Sequence, residues 1–125
     1  MKPSVVLLLF VMLAACSKDP AADNDNDPPI ITITSPTPDQ QYAGGQTVLI
    51  SGELTDAQKI SEVHVHISNT ATGALLMDIH RYPAAPAYTL AETFQVLAGI
   101  SYKIQVIAKD NSANESRASI AISSL

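Results

Sequence analysis

The fold of this chain is decided by the stretch GISYKIQVIAKDNSANES, residues 99–116. From Ser101 to Asp110 the side chains alternate, with apolar residues on one face and mostly polar residues on the other. The apolar face holds Tyr102, Ile104, Val106 and Ala108. A period of two predicts a β-strand with one buried face and one wet face. The Asn and Ser cluster that follows predicts a turn into a second strand at Ser116–Ser123, so the stretch should form an antiparallel hairpin.

The same pattern extends outward over the rest of the chain after Pro29. Short runs rich in β-branched residues recur at intervals of about 8 to 15 residues, and clusters of Gly, Pro, Asn and Asp separate them. No window shows the capped 3.6-residue period of a helix. This spacing is typical of an antiparallel β-sandwich. We predict an all-β domain with strands at 30–34, 47–52, 60–68, 75–81, 88–96, 101–110 and 116–123.

The strand predicted at 60–68 alternates as cleanly as the first. Its apolar side chains should face the core, together with Val48 and Ile50 of the preceding strand. Its polar side chains should face water. The inward set is Val63, Val65 and Ile67, and the outward set is Glu62, His64, His66 and Ser68.

Composition limits the domain count and the classes of partner. Residues 30–125 provide one domain of ordinary size. The 125 residues include one cysteine, so an internal disulfide framework is excluded. The formal net charge is −5, and loss of residues 1–15 with Lys2 would leave six Lys and Arg against twelve Asp and Glu. This acidic balance provides no basic patch, so nucleic-acid binding is not expected.

The N-terminus predicts a lipoprotein signal peptide at residues 1–15. Lys2 is followed by a short apolar run from Val5 to Leu13, and Leu13-Ala14-Ala15-Cys16 places small residues before a cysteine. As a helix this run covers about 16 Å, too little to cross a hydrocarbon core of about 30 Å. The pattern resembles the site of lipoprotein signal peptidase, which implies cleavage before Cys16 and acylation of Cys16. The alternative is an ordinary signal peptide with a coincidental cysteine.

Residues 16–29 are predicted to be a disordered tether between the lipid and the domain. They are rich in Asp, Asn, Ala and Pro and contain no apolar period, so they cannot bury enough surface to fold. Ser17 in place of Asp resembles enterobacterial lipoproteins that reach the outer membrane. The acidic run at Asp23–Asp27 resembles surface-exported lipoproteins of Bacteroidetes-type bacteria, which implies display at the cell surface. A plain solvated linker is the alternative.

The hairpin at 99–116 resembles the last hairpin of bacterial immunoglobulin-like and fibronectin-type surface modules. In that family a tyrosine near the start of the penultimate strand locks a corner, which matches Tyr102. The family's Ala-x-Asp ending and turn Asn match Ala108, Asp110 and Asn114, whereas Ala113 stands where the family usually has Gly. The chain as a whole resembles single-domain immunoglobulin-like lipoproteins of Bacteroidetes-type bacteria. This implies an immunoglobulin-like (fibronectin III-like) sandwich of about seven strands and no assigned activity.

Two groups of residues are candidate metal ligands. His64 and His66 share one strand face, as Zn²⁺ or Cu²⁺ ligands can, and His80 would be a third if its strand pairs beside theirs. The alternative is a set of polar residues on a wet face. Asp110 and Asn114, with other loop oxygens, could bind Ca²⁺, or they could hydrogen-bond the backbone of their own turn. The other loop oxygens belong to Asp56, Asn111 and Glu115.

The remaining candidates are two tyrosines that we place in loops, Tyr42 and Tyr82, where either could stack on a sugar or instead pack locally. No Gly-x-Ser-x-Gly or His-Glu-x-x-His motif occurs, so no catalytic residue is predicted and an enzyme is not expected. The sequence therefore predicts an outer-membrane, lipid-anchored module that binds an envelope protein or a polysaccharide or has a structural role. Divalent-metal binding is the alternative function, and no cofactor is expected unless calcium binds.

Overall fold

The computed structural model describes residues 25–125, and the predicted signal peptide, Cys16 and most of the predicted tether lie outside the described residues. The part described consists of seven β-strands joined by turns and loops. Within it no helix is long and apolar enough to span a membrane. The strands are β1 Ile30–Ser35, β2 Gln41–Tyr42, β3 Thr47–Asn69, β4 Leu75–Arg81, β5 Ala85–Gln95, β6 Ser101–Asp110 and β7 Glu115–Ser124.

The strands form the all-β sandwich that the sequence predicts, with β4 and β6 at the predicted bounds. The prediction and the structure both have seven strands, but two of the strands differ. The predicted strands at 47–52 and 60–68 are one continuous strand, β3, and the two-residue strand β2 was not predicted. β5 begins at Ala85 and not at residue 88 as predicted; Pro86 lies where the ladder between β3 and β5 is irregular, which is a place where strands tolerate proline.

The long strand β3 joins the two layers of the sandwich. Its first half, 47–55, pairs with β1 on one side and β5 on the other. Its second half, 60–69, pairs with β4 and β6. β7 continues this second sheet beside β6, and β2 adds to β7 in parallel. Register shifts between Thr55 and Ile60 mark the place where β3 passes from one sheet to the other, as strands that switch sheets do at bulges.

The core lies between the two sheets and consists of the residues that the alternation places inward. The apolar face of β6, predicted from residues 99–116, is buried, with Tyr102 only 3% exposed. The predicted inward residues of β3 are fully buried as well. These are Val48, Ile50, Val63, Val65 and Ile67.

The predicted tyrosine corner is confirmed. The Tyr102 hydroxyl accepts a hydrogen bond of 2.8 Å from the backbone N–H of Leu97, five residues upstream. Its ring packs edge to face on Phe94 of β5, with centroids 5.4 Å apart. The corner therefore links the connection before β6 to the core through one buried side chain.

The turn between β6 and β7 has the backbone conformation that the family's glycine would favour. Ala113 has φ of +64°, in the left-handed region that disfavours any residue with a Cβ. We expect Ala113→Gly to raise the free energy of unfolding by about 0.5 to 1 kcal/mol, since it removes that strain at a modest entropic cost. Chemical denaturation measures the change. Ala118→Gly, the same substitution inside β7, should destabilise, and a destabilised Ala113→Gly would contradict the prediction.

Candidate functional site

All three histidines of the chain meet on the outer face of the ladder between β3 and β4. His64 of β3 is directly opposite His80 of β4, and His66 is directly opposite Asp78. The side chains at alternate positions of each strand point to the same face, so these two cross-strand pairs, which are two positions apart, are neighbours on that face. We call them the histidine patch: His64, His66, Asp78 and His80.

Asp78 is the contact that the three imidazoles share. Its Oδ2 lies 2.9 Å from His80 Nε2, and its Oδ1 lies 3.2 Å from His66 Nε2 and 3.6 Å from His64 Nδ1. The rings of His64 and His80 are tilted against each other with centroids 3.9 Å apart. On its other side His64 hydrogen-bonds through Nε2 to Glu62. One carboxylate is therefore surrounded by three imidazole rings.

Both carboxylates at the patch are held in the ionised form. The hydrogen bond with His80 lowers the pKa of Asp78, and the other two histidines lower it further. The hydrogen bond with His64 lowers the pKa of Glu62. The imidazoles are open to water without being fully exposed, at 22% for His64, 30% for His66 and 40% for His80. The patch is thus an accessible group of imidazole nitrogens and ionised carboxylate oxygens.

Two overlapping sets of side chains place their ligand atoms within 4.8 Å of one another: His64 with His66 and Asp78, and His64 with His80 and Glu62. Imidazole nitrogen with carboxylate oxygen is a donor set used by zinc and copper. The sequence singled out His64 and His66 and made His80 conditional on strand pairing. Asp78 and Glu62 were missed as ligands, although the two-residue spacing of Asp78 and His80 on a predicted strand was a usable signal.

A shallow groove continues from the patch toward β6 and β7, with a volume of about 190 Å³. Beyond the histidines its walls are polar and charged apart from Ile107. Glu115 there pairs with Arg117 at 2.7 Å and with Lys109 at 3.9 Å. Glu115, one of the loop oxygen donors predicted from the sequence, is thus the first residue of β7 and an ion-pair partner in the groove.

Asp110 and Asn114, the predicted calcium ligands, lie together in the turn between β6 and β7. Asp110 is 2% exposed, and its Oδ1 accepts hydrogen bonds from the backbone N–H groups of Ser112 and Asn114. Its Oδ2 accepts from Asn114 Nδ2 at 2.9 Å. The carboxylate thereby satisfies the turn backbone, as the second of the two sequence interpretations describes. Calcium binding at these residues stays a prediction.

Part of the predicted tether contacts this turn. Asn114 Nδ2 donates to the backbone carbonyl of Asp25 at 2.8 Å, and Ser116 Oγ donates to the carbonyl of Pro29. Carboxylate oxygens of Asp25, Asp56 and Asp110 lie within 4.8 Å of one another. The backbone hydrogen bond from Asp27 lowers the pKa of Asp25, but burial and the two neighbouring carboxylates outweigh it and the pKa is raised. With one ligand oxygen from each, the three carboxylates supply three of the six to eight oxygens that Ca²⁺ takes.

The two candidate tyrosines differ in availability. Placement of Tyr42 in a loop is wrong: it belongs to β2, pairs with Ser124 of β7 and packs against the core. Burial raises the pKa of its phenol. Tyr82, between β4 and β5, is 69% exposed. Of the two, Tyr82 has the more accessible ring, and ligand binding there stays a prediction.

β4 also presents an apolar edge. Within residues 25–125 it pairs with β3 on one side and with no strand on the other. Three successive residues at its start are large, apolar and exposed: Leu75 at 55%, Leu76 at 47% and Met77 at 39%. An open strand edge bordered by apolar side chains is a surface that proteins normally protect or use.

Comparison with known proteins places this architecture in a family. Residues 29–106 match the model of the family described as bacterial Ig domain. The fold is similar to a fibronectin(III)-like module of CbhA from Clostridium thermocellum, at 20% identity over 76% of this chain and 94% of that chain, with a TM-score of 0.51. It is also similar to superoxide reductase (neelaredoxin) from Ignicoccus hospitalis, at 14% identity over 83% and 86% of the two chains, with a TM-score of 0.58.

At these identities the structural similarity establishes the fold alone, so no residue role or activity is carried over from either protein. A comparison with curated proteins found no match. The immunoglobulin-like fold is typical of non-enzymatic modules and is compatible with a binding or structural role. The family match covers more than half of the chain, and the strands, core and tyrosine corner of the structure agree with that match. The chain belongs to the bacterial Ig domain family.

Proposed function

We propose that this chain is a lipid-anchored immunoglobulin-like module of the bacterial outer membrane that binds another envelope protein through the edge of β4. The observation that carries the proposal is the open edge of β4, with Leu75, Leu76 and Met77 exposed at its start. An incoming extended segment can add a strand to such an edge and bury these side chains.

The position of the edge supports this mode of binding. β4 ends the sheet that also contains β6 and β7, and it keeps a regular antiparallel register with β3 over Ile67 to Val63. Its backbone is therefore extended and ready to pair on its second side. The register shift at Ser68 displaces Leu76 from the regular alternation, which brings apolar side chains to the rim of the sandwich.

The N-terminal pattern supports the location. Cys16 would carry the acyl chains, and each buried CH₂ contributes about 0.8 kcal/mol, so several chains hold a protein firmly on a bilayer. The nine residue-to-residue steps from Cys16 to Asp25 span at most about 30 Å when extended. The domain would thus stay within a few nanometres of the membrane. Ser17 and the acidic run at Asp23–Asp27 favour display at the surface of a Bacteroidetes-type cell, with the periplasmic face as the alternative.

Site-specific photo-crosslinking in intact cells tests the partner. A crosslinker at Leu75 should give one discrete protein adduct, and Leu76→Lys should abolish it, because a charge at the rim opposes burial of the apolar edge. A crosslinker at Thr89, an exposed residue of β5, is the matched control and should give no such adduct. Equal adducts from Leu75 and Thr89 would contradict a specific edge, and a diffuse glycan adduct would favour a polysaccharide partner.

The anchor has its own test. Cys16→Ser should release the chain from the membrane fraction, because no acyl chain can be attached to serine at that step. Cell fractionation with detection of the chain in membrane and soluble fractions measures the effect. A Cys16→Ser chain that stays in the outer membrane to the same extent as the unmodified sequence would exclude lipid anchoring at Cys16.

A further inference from the structure

We propose that His64, His66, His80 and Asp78 bind one transition-metal ion, Zn²⁺ or Cu²⁺, on the outer face of the ladder between β3 and β4. The proposal does not depend on the β4 edge as a docking surface.

The three histidines converge on one surface of the fold. The chain contains three histidines, and the fold brings all three to one patch although 16 residues of sequence separate His64 from His80. The direct pairing of His64 with His80, and of His66 with Asp78, gives a block of four side chains on one face. Cross-strand neighbours on one face lie about 4.5 to 5.5 Å apart at Cβ, which lets two side chains reach a shared ion.

The donor atoms of the three histidines are arranged around the Asp78 carboxylate. Imidazole nitrogens of His80, His66 and His64 lie 2.9, 3.2 and 3.6 Å from the Asp78 carboxylate. The ligand atoms of His64, His66 and Asp78 lie within 4.8 Å of one another. Side-chain rotations that bring His80 from its contact with Asp78 Oδ2 into this group would let all four donors ligate one ion at 2.0 to 2.2 Å. Glu62, on the far side of His64, accepts a hydrogen bond from Nε2 and leaves Nδ1 directed at Asp78. Carboxylate contacts to the second nitrogen of a histidine are a common support of metal-bound imidazoles.

The donor atoms of the patch favour transition-metal ions over Ca²⁺ and Mg²⁺. Three nitrogen donors and one carboxylate suit Zn²⁺ and Cu²⁺, whereas Ca²⁺ and Mg²⁺ prefer shells of oxygen atoms. Three imidazoles and one carboxylate also supply four protein ligands, which is the coordination number of structural zinc sites. The ion would join β4 to β3, and so would fix the outermost strand of its sheet.

Calorimetric titration with Zn²⁺ alone tests the site. The sample is the full chain with Cys16→Ser, which removes the thiol, purified in detergent and stripped of metal with EDTA. We expect saturation at one ion per chain, without competition from Ca²⁺. Each of His64→Ala, His66→Ala, His80→Ala and Asp78→Asn should weaken Zn²⁺ binding by about 10-fold or more. Glu53→Gln, the same loss of a carboxylate on β3 away from the patch, should bind like the parent chain.

A second measurement needs no substitution at the patch. In an NMR spectrum of the imidazole groups, one equivalent of Zn²⁺ should shift the signals of all three histidines together. Shifts confined to a single ring, a Zn²⁺ affinity unchanged in His64→Ala or Asp78→Asn, or displacement of Zn²⁺ by equal Ca²⁺ would overturn the site. Circular dichroism of each variant establishes that a lost affinity does not arise from unfolding.

Discussion

Gly52→Ala should destabilise the domain by about 3 kcal/mol or more, at the upper end of the cost of overpacking a well-packed core. Gly52 is buried in the first half of β3, opposite Ile33 of β1. A Cβ there would clash with the carbonyl oxygen of Thr32 and lie 3.2 Å from the Cα of Ile33. Both neighbours are backbone atoms, so no side-chain rotation relieves the contact and β1 must move away from β3.

Thermal and chemical denaturation measure this effect. A loss of 3 kcal/mol lowers the melting midpoint of a domain of this size by more than about 10 °C. Gly73→Ala is the matched control, since its added Cβ meets no atom within 4 Å and the cost is set by the positive φ of +73° alone. That cost is about 1 to 2 kcal/mol. If Gly52→Ala were no more damaging than Gly73→Ala, the close approach of β1 would not constrain this position.

Asp110→Ala should lower the free energy of unfolding by about 2 to 4 kcal/mol. The substitution removes a buried carboxylate that accepts two backbone hydrogen bonds and one from the Asn114 side chain, and it leaves those donors without their partner. Asp110→Asn keeps one acceptor oxygen but places an NH₂ group against the side-chain NH₂ of Asn114. The loss of stability in Asp110→Asn should therefore lie between zero and the loss in Asp110→Ala. Denaturation in the presence of EDTA measures both variants without any contribution from a bound cation. A loss for Asp110→Ala under about 0.5 kcal/mol, the range of ordinary surface substitutions, would contradict this role of the carboxylate.

The same carboxylate predicts a pH dependence. Burial alone would raise the pKa of Asp110, but the hydrogen bonds from Asn114 and Ser112 outweigh it and the pKa falls below its ordinary value of 3.8. A lowered pKa in the folded chain means that the stabilisation is complete above the unfolded pKa and is lost as the pH falls through the folded value. The difference in stability between the parent chain and Asp110→Asn should therefore shrink below about pH 4. A difference in stability that stays constant down to pH 2 would contradict a stabilising role of the ionised Asp110 carboxylate.

The fold was largely predictable because its signal is local. The alternation of Tyr102, Ile104, Val106 and Ala108 with polar residues reports the buried face of a strand without any knowledge of its neighbours, and the structure buries that face. The errors fall where no local period exists. Tyr42 belongs to a strand of two residues, too short to alternate, and its place is set by pairing with β7.

The candidate site was predictable only in part. The spacing of His64 and His66 puts both on the wet face of one strand, and this follows from the sequence. The position of His80 and Asp78 beside them depends on which strand pairs with β3 and in which register. A slip of one residue in that register would turn His80 and Asp78 to the opposite face. The turn gives a second example, since the positive φ of Ala113 follows from the pairing of β6 with β7 in spite of the residue's own preference.

The sequence by itself determined most of the strands, the buried faces and the corner tyrosine, and it predicts attachment at Cys16, because each of these features depends on residues that are neighbours along the chain. Only the tertiary structure decided the four-residue histidine patch, the open edge of β4 and the close approach of β1 to Gly52. The physical reason is that strand pairing joins residues far apart in sequence, and its register is fixed by the burial of whole faces at once. A local period carries no information about that choice.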